Sequence, residues 1–427
     1  MRDLSFQSHK YPVVIIGGLA LFSLSLALSK SAANVSMALV YLTTLFFTSR
    51  HQDFRKTVLQ SVNQPLLLPF ALYLSAALIG LLFTENVSDG LGIVNKFVGL
   101  LLVYLMVSAL IEAIGKGEGG RLTAEKLLLA FLIGIFTLDS IAVMTYLGLI
   151  GDKKFALPFA PLHVHHIWFA NLNALGMYAA AAFLLFAPRQ RGHRIMIFSL
   201  SFIILGGVSV LFSVSRTAWL GMFFTTVILT YLMVKQKKVF FMVLLGMLGA
   251  GVSLYFFNRI VHMRLNEIVS DISLFFAGEA NTNVGERFLM WKAAFRMFLS
   301  NPLFGVGTGD YFLTMGRYMA SGEFPEYLAQ FNQPHNMYLF ALATNGLVGL
   351  SALLYIFYRV LRFSVPLLRT HENEKKLFAF LATAAVAHYM AAGMTDSFFN
   401  IQILRYAFAF VMGVCVRNSM KTENVKL

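Results

Sequence analysis

Two arginines and one histidine in this sequence each lie within a distinctive run of residues. Arg216 follows an apolar stretch in Ser-Val-Ser-Arg-Thr-Ala-Trp-Leu-Gly, Arg287 lies in Gly-Glu-Arg-Phe-Leu-Met-Trp, and His335 lies in Gln-Pro-His-Asn-Met-Tyr-Leu-Phe. The planar guanidinium of arginine binds phosphate oxygens through two hydrogen bonds and stays charged in a partly dry site. His335 precedes an apolar run, where the positive end of a helix favours the neutral ring that a general base requires. The three residues predict a site in which Arg216 and Arg287 bind phosphate and His335 removes a proton.

Each prediction has a simpler structural alternative. Arg287 falls near the start of a predicted helix, which is the unfavourable end for a cation, and a salt bridge with Glu286 or Glu279 would explain its presence. His335 would then be an ordinary polar cap at the start of its helix. Asn336 and Glu286 are predicted to support the site, Asn336 by orienting either the His335 ring or a substrate.

Charged residues also interrupt the apolar runs, where they are costly and usually mark a function or a pair. Lys96 and Arg405 are cations of this kind, His388 ends another apolar run, and Asp139 is the deep carboxylate. This excess of cations predicts an outward-opening cavity that accepts an anion, supported by Lys96, Arg405 and His388. The alternative is a structural ion pair between Asp139 and either Lys96 or Arg405.

The composition excludes an ordinary soluble domain. The 427 residues are 58% hydrophobic and 13% charged, whereas soluble domains carry about 25% charged residues. The mean hydropathy is +0.71. A helix needs roughly 20 apolar residues to cross a bilayer, and the sequence predicts an all-α polytopic membrane protein of about twelve transmembrane helices. The predicted spans are 12–28, 32–48, 65–83, 91–113, 126–149, 167–187, 195–213, 217–234, 239–257, 335–358, 377–394 and 402–416.

The net charge of +14 is explained by where Lys and Arg lie, so no nucleic-acid partner is expected. Alternate connections hold 22 of these residues, against 4 in the short connections on the other side. Cytoplasmic connections are enriched in Lys and Arg. Both termini are therefore predicted to be cytoplasmic.

One connection is far longer than the others, and it divides the chain. Residues 1–257 are predicted to form transmembrane helices 1 to 9, and 258–334 an outer loop with an amphipathic helix at about 284–300. Within that loop Asn283 is the predicted cap, with Glu286 three residues later as in a capping box. Residues 335–416 are predicted to form helices 10 to 12, and 417–427 a cytoplasmic tail.

Taken together, the motifs resemble those of the O-antigen ligase and polymerase superfamily. Its members carry Ser-x-Ser-Arg after an apolar span, a Gly-Arg-x-x-x-Trp helix that leads to Asn-Pro-hydrophobic-x-Gly-x-Gly, and His-Asn at the start of the next span. In this sequence Asn-Pro-Leu-Phe-Gly-Val-Gly occupies 301–307, and Glu286 intervenes between Gly285 and Arg287. The resemblance covers roughly 195–400, and the chain length and span number are most similar to the ligase branch.

This resemblance implies a glycosyltransferase of the bacterial inner membrane with a periplasmic active site. Such a ligase moves a polysaccharide from an undecaprenyl diphosphate carrier to the lipid A core during lipopolysaccharide assembly, inverting the anomeric centre without a metal or cofactor. Its partners would be that donor, the lipid A-core acceptor and membrane lipids. Arg216 and Arg287 would hold the diphosphate, and His335 would deprotonate the acceptor hydroxyl.

Several other interpretations remain open. Within the same superfamily, the chain would be a polymerase of O-antigen or exopolysaccharide, or a protein O-oligosaccharyltransferase. From another class, an exporter or flippase of lipid-linked sugars would also need an outer cationic cavity, but it would not need His335 for chemistry. A metal site would use His163, His165 and His166, which have no nearby carboxylate or Cys partner except Asp152. Because arginines already serve the diphosphate, these histidines are instead expected to be a polar lining of the outer mouth.

Overall fold

This computed structural model describes residues 11–114, 118–150, 159–187 and 193–420, which are mostly helical and contain no strand. The prediction of an all-α fold is confirmed. Asp152 and residues 421–427 of the predicted tail lie outside the described residues.

Sixteen α-helices occupy the described ranges. In chain order they are α1 (Tyr11–Leu28), α2 (Lys30–Arg50), α3 (Gln52–Gln60), α4 (Leu67–Gly80), α5 (Val87–Ile114), α6 (Glu118–Tyr146), α7 (His166–Phe186), α8 (His193–Phe212), α9 (Arg216–Met233), α10 (Lys237–Phe257), α11 (Arg259–Phe276), α12 (Asn283–Ser300), α13 (Tyr311–Ala320), α14 (Met337–Leu367), α15 (Asn373–Ala392) and α16 (Gln402–Met420). Short 3₁₀ turns lie at Leu81–Phe83, Pro161–His163, Glu326–Gln330 and Phe398–Asn400.

Seven of these helices are long and apolar enough to cross a membrane, namely α2, α5, α6, α7, α8, α10 and α14. Three more, α1, α4 and α16, are apolar but shorter. Predicted spans 217–234 and 377–394 fall on α9 and α15, which meet neither description. A multi-pass membrane protein is thus confirmed, whereas the number twelve stays a prediction.

The centre of the bundle is α15. Fourteen of its twenty residues are buried, and it packs against α7, α9, α14 and α16. Many of these residues are alanines, and small side chains allow helices to approach closely in membranes. By contrast, α10 has no buried residue and lies at the edge of the bundle.

Helix α14 is broken at Gly346 within the bundle, and the Asn-Pro-Leu-Phe-Gly segment supplies hydrogen-bond partners for the backbone at the break. Gly346 has a φ of 61° and a ψ of −155°. The amides of Leu347 and Val348 after it donate to Pro302 and Leu303 carbonyls, at 2.9 and 3.2 Å. Asn345 donates to Thr308 Oγ1 at 2.6 Å. Because a buried amide without a partner is costly, residues 302–308 stabilise α14 on both sides of the break.

The helix in the long loop, α12, begins one residue differently from the predicted capping box. Thr282 is the N-cap, and its hydroxyl accepts a hydrogen bond from the Gly285 amide at 3.1 Å. Asn283, the predicted cap, is the first helical residue. The prediction was wrong by one position, since Thr and Asn are both good caps and the sequence alone does not rank them.

Candidate active site

His335 lies in a strained turn just before α14, where it pairs with a buried carboxylate. Its φ of 48° is unusual for a residue with a side chain. His335 Nδ1 lies 3.2 Å from Asp396 Oδ1. That carboxylate oxygen also accepts a hydrogen bond from the Ser397 amide at 2.8 Å. Since a carboxylate only accepts hydrogen bonds, Nδ1 is the donor in this pair, and in the neutral ring Nε2 keeps its lone pair.

The neighbours of His335 fix this turn from two sides. Asn336 caps α14 by accepting hydrogen bonds from the Tyr338 and Leu339 amides, both at 3.0 Å. Its amide group donates to the Met394 carbonyl at 3.0 Å. On the other side, Trp291 of α12 donates to the Pro334 carbonyl at 2.9 Å. Asn336 therefore orients the histidine through the backbone rather than through its ring.

Arg287 reaches the segment that carries Asp396. Its Nη1 donates to the Thr395 carbonyl at 2.7 Å. The Thr395 hydroxyl in turn donates to the hydroxyl of Thr217, beside Arg216, at 3.0 Å. Burial lowers the pKa of Arg287, the Asp396 carboxylate opposes this effect, and Arg216 adds to the lowering. These contacts bring the three motif runs together at the end of α15.

Glu286 does not pair with the arginine next to it. Its carboxylate accepts a weak hydrogen bond from Gln330 at 3.4 Å. Burial raises the pKa of Glu286, and nearby His335 opposes that rise. Among the described residues, no ion pair joins Arg287 to Glu286 or to Glu279, so the salt-bridge alternative for Arg287 finds no support.

A cavity of about 850 Å³ lies beside these residues and is lined by α7 to α12. Three arginines line it: Arg216, Arg264 and Arg287. Much of the remaining wall is apolar and includes Val210, Leu220, Phe223, Leu254, Leu265 and Phe288. Trp291 and Thr395 also border the cavity, so it adjoins the turn that carries His335. A cavity with this lining suits a ligand with an anionic head and an apolar chain.

One arginine of the cavity has an unused hydrogen-bond donor. Nη1 of Arg216 is buried, and no hydrogen-bond partner for it is found within the described ranges. A buried cationic donor without an acceptor is unfavourable. An anion in the cavity would supply that acceptor.

Two histidines of the predicted metal alternative lie at the entrance to the site. His166 lines the cavity, and its Nδ1 lies 2.8 Å from the Ser213 carbonyl. Burial lowers the pKa of His165, with Asp396 opposing the shift and His335 adding to it. No group of three His, Cys, Asp or Glu residues that could hold a metal occurs in the part of the chain that the structure describes. The side chain of His163 is not among the described ones.

The other predicted support residues lie away from the cavity. His388 is buried between helices, with its ring nitrogens 3.0 Å from the Tyr178 hydroxyl and 2.9 Å from Asn171 Oδ1. Arg405 donates to the Phe399 carbonyl at 2.7 Å, and Lys96 lies near Arg405. Neither cation lines the cavity.

Asp139 has no cationic partner of the kind that the sequence suggested. It is fully buried and accepts a hydrogen bond from Asn173 at 2.8 Å. No ion pair with Lys96 or Arg405 is found among the described residues. The structure instead adds Arg264 and Asp396 to the site. Neither residue lies in one of the three motif runs of the sequence.

Part of the chain is similar to known proteins. Residues 200–354 match the family model described as O-antigen ligase. A protein of Haemophilus influenzae, described as uncharacterized, is 25% identical over 255 residues, which are 58% of this chain and 63% of that protein. The chain therefore spans less than two thirds of the relative it matches. The part of the chain that is similar to the O-antigen ligase family, residues 200–354, is the part that carries Arg216, Arg287 and His335.

Proposed function

We propose that this protein is an O-antigen ligase, a glycosyltransferase that moves a polysaccharide from undecaprenyl diphosphate to the lipid A core. The observation that carries the proposal is the pair of His335 and Asp396, which lies beside an arginine-lined cavity. The match of residues 200–354 to the O-antigen ligase family model supports a transferase in general. The ligase role, the donor and the acceptor are part of the proposal.

The cavity supports a lipid-linked diphosphate as the donor. Arg216 and Arg287 would bind the phosphate oxygens, while the isoprenoid chain lies along the apolar wall between α9 and α10. Arginine suits this task because its guanidinium forms two parallel hydrogen bonds to phosphate and keeps its charge when partly dehydrated.

The chemistry follows from the positions of base and cations. His335 Nε2 takes the proton of the acceptor hydroxyl as its oxygen forms a bond to the anomeric carbon. The bond from that carbon to the diphosphate oxygen breaks, and its electron pair leaves with the phosphate. Arg216 and Arg287 stabilise the departing charge, and Asp396 stabilises the protonated imidazole. A single displacement of this kind inverts the anomeric centre. With guanidinium groups as the cations, transfer should continue in EDTA.

The expected location is the bacterial inner membrane, with both termini cytoplasmic and the site facing the periplasm. The distribution of Lys and Arg along the chain supports this orientation. A periplasmic site would meet both substrates after they have crossed the membrane. Membrane lipids would complete its surroundings.

The test is reconstitution of the purified protein in lipid with an undecaprenyl diphosphate-linked glycan and lipid A-core. Wild-type protein should form glycan-capped lipid A-core, and His335→Ala should lose about 10²- to 10⁴-fold in rate, as expected for a general base. Arg296→Ala, on the outer face of α12, is the control and should keep its rate.

Other products would redirect the assignment. Longer carrier-linked chains without capped lipid A-core would identify a polymerase, and glycan on an added protein acceptor would identify a protein O-oligosaccharyltransferase. Movement of the lipid-linked sugar across vesicles at an equal rate in His335→Ala would identify a transporter.

A further inference from the structure

The third arginine of the cavity, Arg264, has no assigned role. It lies in α11, whose start is capped by Asn258 through hydrogen bonds to the Ile260 and Val261 amides at 3.0 and 3.1 Å. Near its other end, Asp271 accepts a hydrogen bond from the Val284 amide at the start of α12, at 3.2 Å. The backbone that carries Arg264 is thus anchored at both ends, and the side chain lines the same cavity as Arg216 and Arg287.

The charges around this cavity are unbalanced. Arg216 lies close enough to both Arg264 and Arg287 to be repelled by each. The ion partner of Arg264 is Glu267, one turn along the same helix at 2.7 Å, and that carboxylate is 43% exposed. An exposed pair of this kind contributes little to stability. Arg264 is therefore held by a weak partner that an incoming anion can replace.

The proposed reaction creates more negative charge than the bound donor carries. In the donor both phosphates are esterified, so the diphosphate has two negative charges. When the bond to the sugar breaks, its electron pair stays on the outer phosphate oxygen, and that phosphate gains a further charge before any protonation. Two guanidinium groups match the donor, and a third is needed to match the product.

We propose that Arg264 is a third phosphate-binding residue, which exchanges Glu267 for the phosphate released in the transfer. This inference rests on the proposed function, and it adds a third residue to the proposed diphosphate site. Because the contact strengthens as the bond breaks, Arg264 acts mainly on the transition state and on the product. While the site is empty, the guanidinium of Arg264 pairs with the Glu267 carboxylate.

The experiment measures binding of farnesyl diphosphate and farnesyl monophosphate to the full-length protein in detergent. Arg264→Ala should weaken diphosphate binding about tenfold, the loss of one charge-assisted contact, and should affect the monophosphate far less. Arg264→Gln provides a second variant that keeps much of the side-chain volume. Glu267→Gln should tighten diphosphate binding, because the competing carboxylate charge is removed.

A matched control is available on the neighbouring helix α12. Arg296 pairs with Glu323 and does not line the cavity, so Arg296→Ala should leave binding of both probes unchanged. In the transfer assay, Arg264→Ala should lower kcat with little change in the donor KM, which is the signature of an interaction formed in the transition state.

The outcomes separate this inference from the proposed function. If Arg216→Ala weakens diphosphate binding but Arg264→Ala behaves like Arg296→Ala, Arg264 is not a phosphate ligand and only this inference fails. If Arg216→Ala and Arg264→Ala both bind the diphosphate normally, the diphosphate site itself is wrong. Equal weakening by Arg264→Ala and Glu267→Gln would show that the ion pair only supports α11, which also overturns the inference.

Discussion

The hydrogen bond between His335 and Asp396 predicts a specific pattern of variant activities. Asp396→Asn keeps an oxygen that accepts a hydrogen bond but removes the charge that stabilises the imidazolium. We expect kcat to fall on the order of tenfold or more, and His335→Ala to fall by about 10²- to 10⁴-fold. Because the two residues act as a unit, the double variant should be no slower than His335→Ala.

Steady-state transfer rates of the three proteins provide the measurement, with donor KM as the internal check. A double variant whose losses simply multiply would mean that Asp396 acts independently of His335. The carboxylate would then be assigned to the turn at the end of α15 rather than to the base.

Arg216 and Arg287 should not be replaceable by lysine. Lysine keeps the charge but loses the planar pair of donors, and in Arg287→Lys the bond to the Thr395 carbonyl is also changed. We expect kcat/KM to fall about 100-fold in each, which corresponds to about 2.7 kcal/mol. Arg296→Lys is the comparison, and near-normal transfer by Arg216→Lys and Arg287→Lys would argue against phosphate binding through the guanidinium fork.

The sequence predicted some site positions better than others, for a geometric reason. Arg216, Arg287 and His335 lie at or near the starts of helices. Recognising the start of a helix in the sequence therefore also indicates at which end of the helix each of these residues lies. Lys96 and His388 lie well inside their helices and Arg405 lies near the start of α16, and none of the three lies in a motif run, so the pattern gives a depth but not a direction. In the structure these three residues do not line the cavity. Arg264 does line it, although no sequence motif surrounds this residue, because α11 lies beside the cavity.

Among the helices, α14 offers a test by substitution, because residues 302–308 form hydrogen bonds with its backbone at the break. Gly305 has a φ of +70°, and a Cβ there would lie 2.5 Å from the Ala343 carbonyl oxygen. Gly305→Val should therefore destabilise the protein by at least about 2 kcal/mol, through backbone strain and the displaced loop.

Thermal unfolding in detergent gives the comparison, with Gly316→Ala in α13 as the matched control. A Cβ at Gly316 meets nothing within 4 Å, and alanine favours a helix, so its unfolding temperature should stay equal or rise. Equal stability of the two variants would mean that residues 302–308 do not brace α14.

The helices could be predicted from the sequence, whereas the break within α14 could not. The all-α class followed from long apolar runs, each of which satisfies its own backbone hydrogen bonds as a helix. The break at Gly346 could not be predicted from the sequence, because the apolar run continues through it and a single glycine is tolerated within a helix. Its cause is a contact with Pro302 and Leu303, more than forty residues earlier, and a local pattern does not contain that contact.

For the molecule as a whole, orientation in the membrane is the decisive prediction. In a Cys415→Ala background, Ser321→Cys lies in the long outer loop and Glu372→Cys between α14 and α15, and both positions are exposed. A membrane-impermeant thiol reagent should label Ser321→Cys in intact spheroplasts, and Glu372→Cys only after permeabilisation. The reverse pattern would place the site in the cytoplasm and remove both proposed substrates.

The central position of α15 has a consequence for how the protein is made. This helix starts with Asn-Glu-Lys-Lys and carries a buried histidine, so its own transfer into lipid is poorly favoured. Its surroundings are instead other helices, and three of these, α7, α9 and α14, precede it in the chain. We therefore expect α15 to enter the membrane against helices that are already in place, with α16 packing on it last.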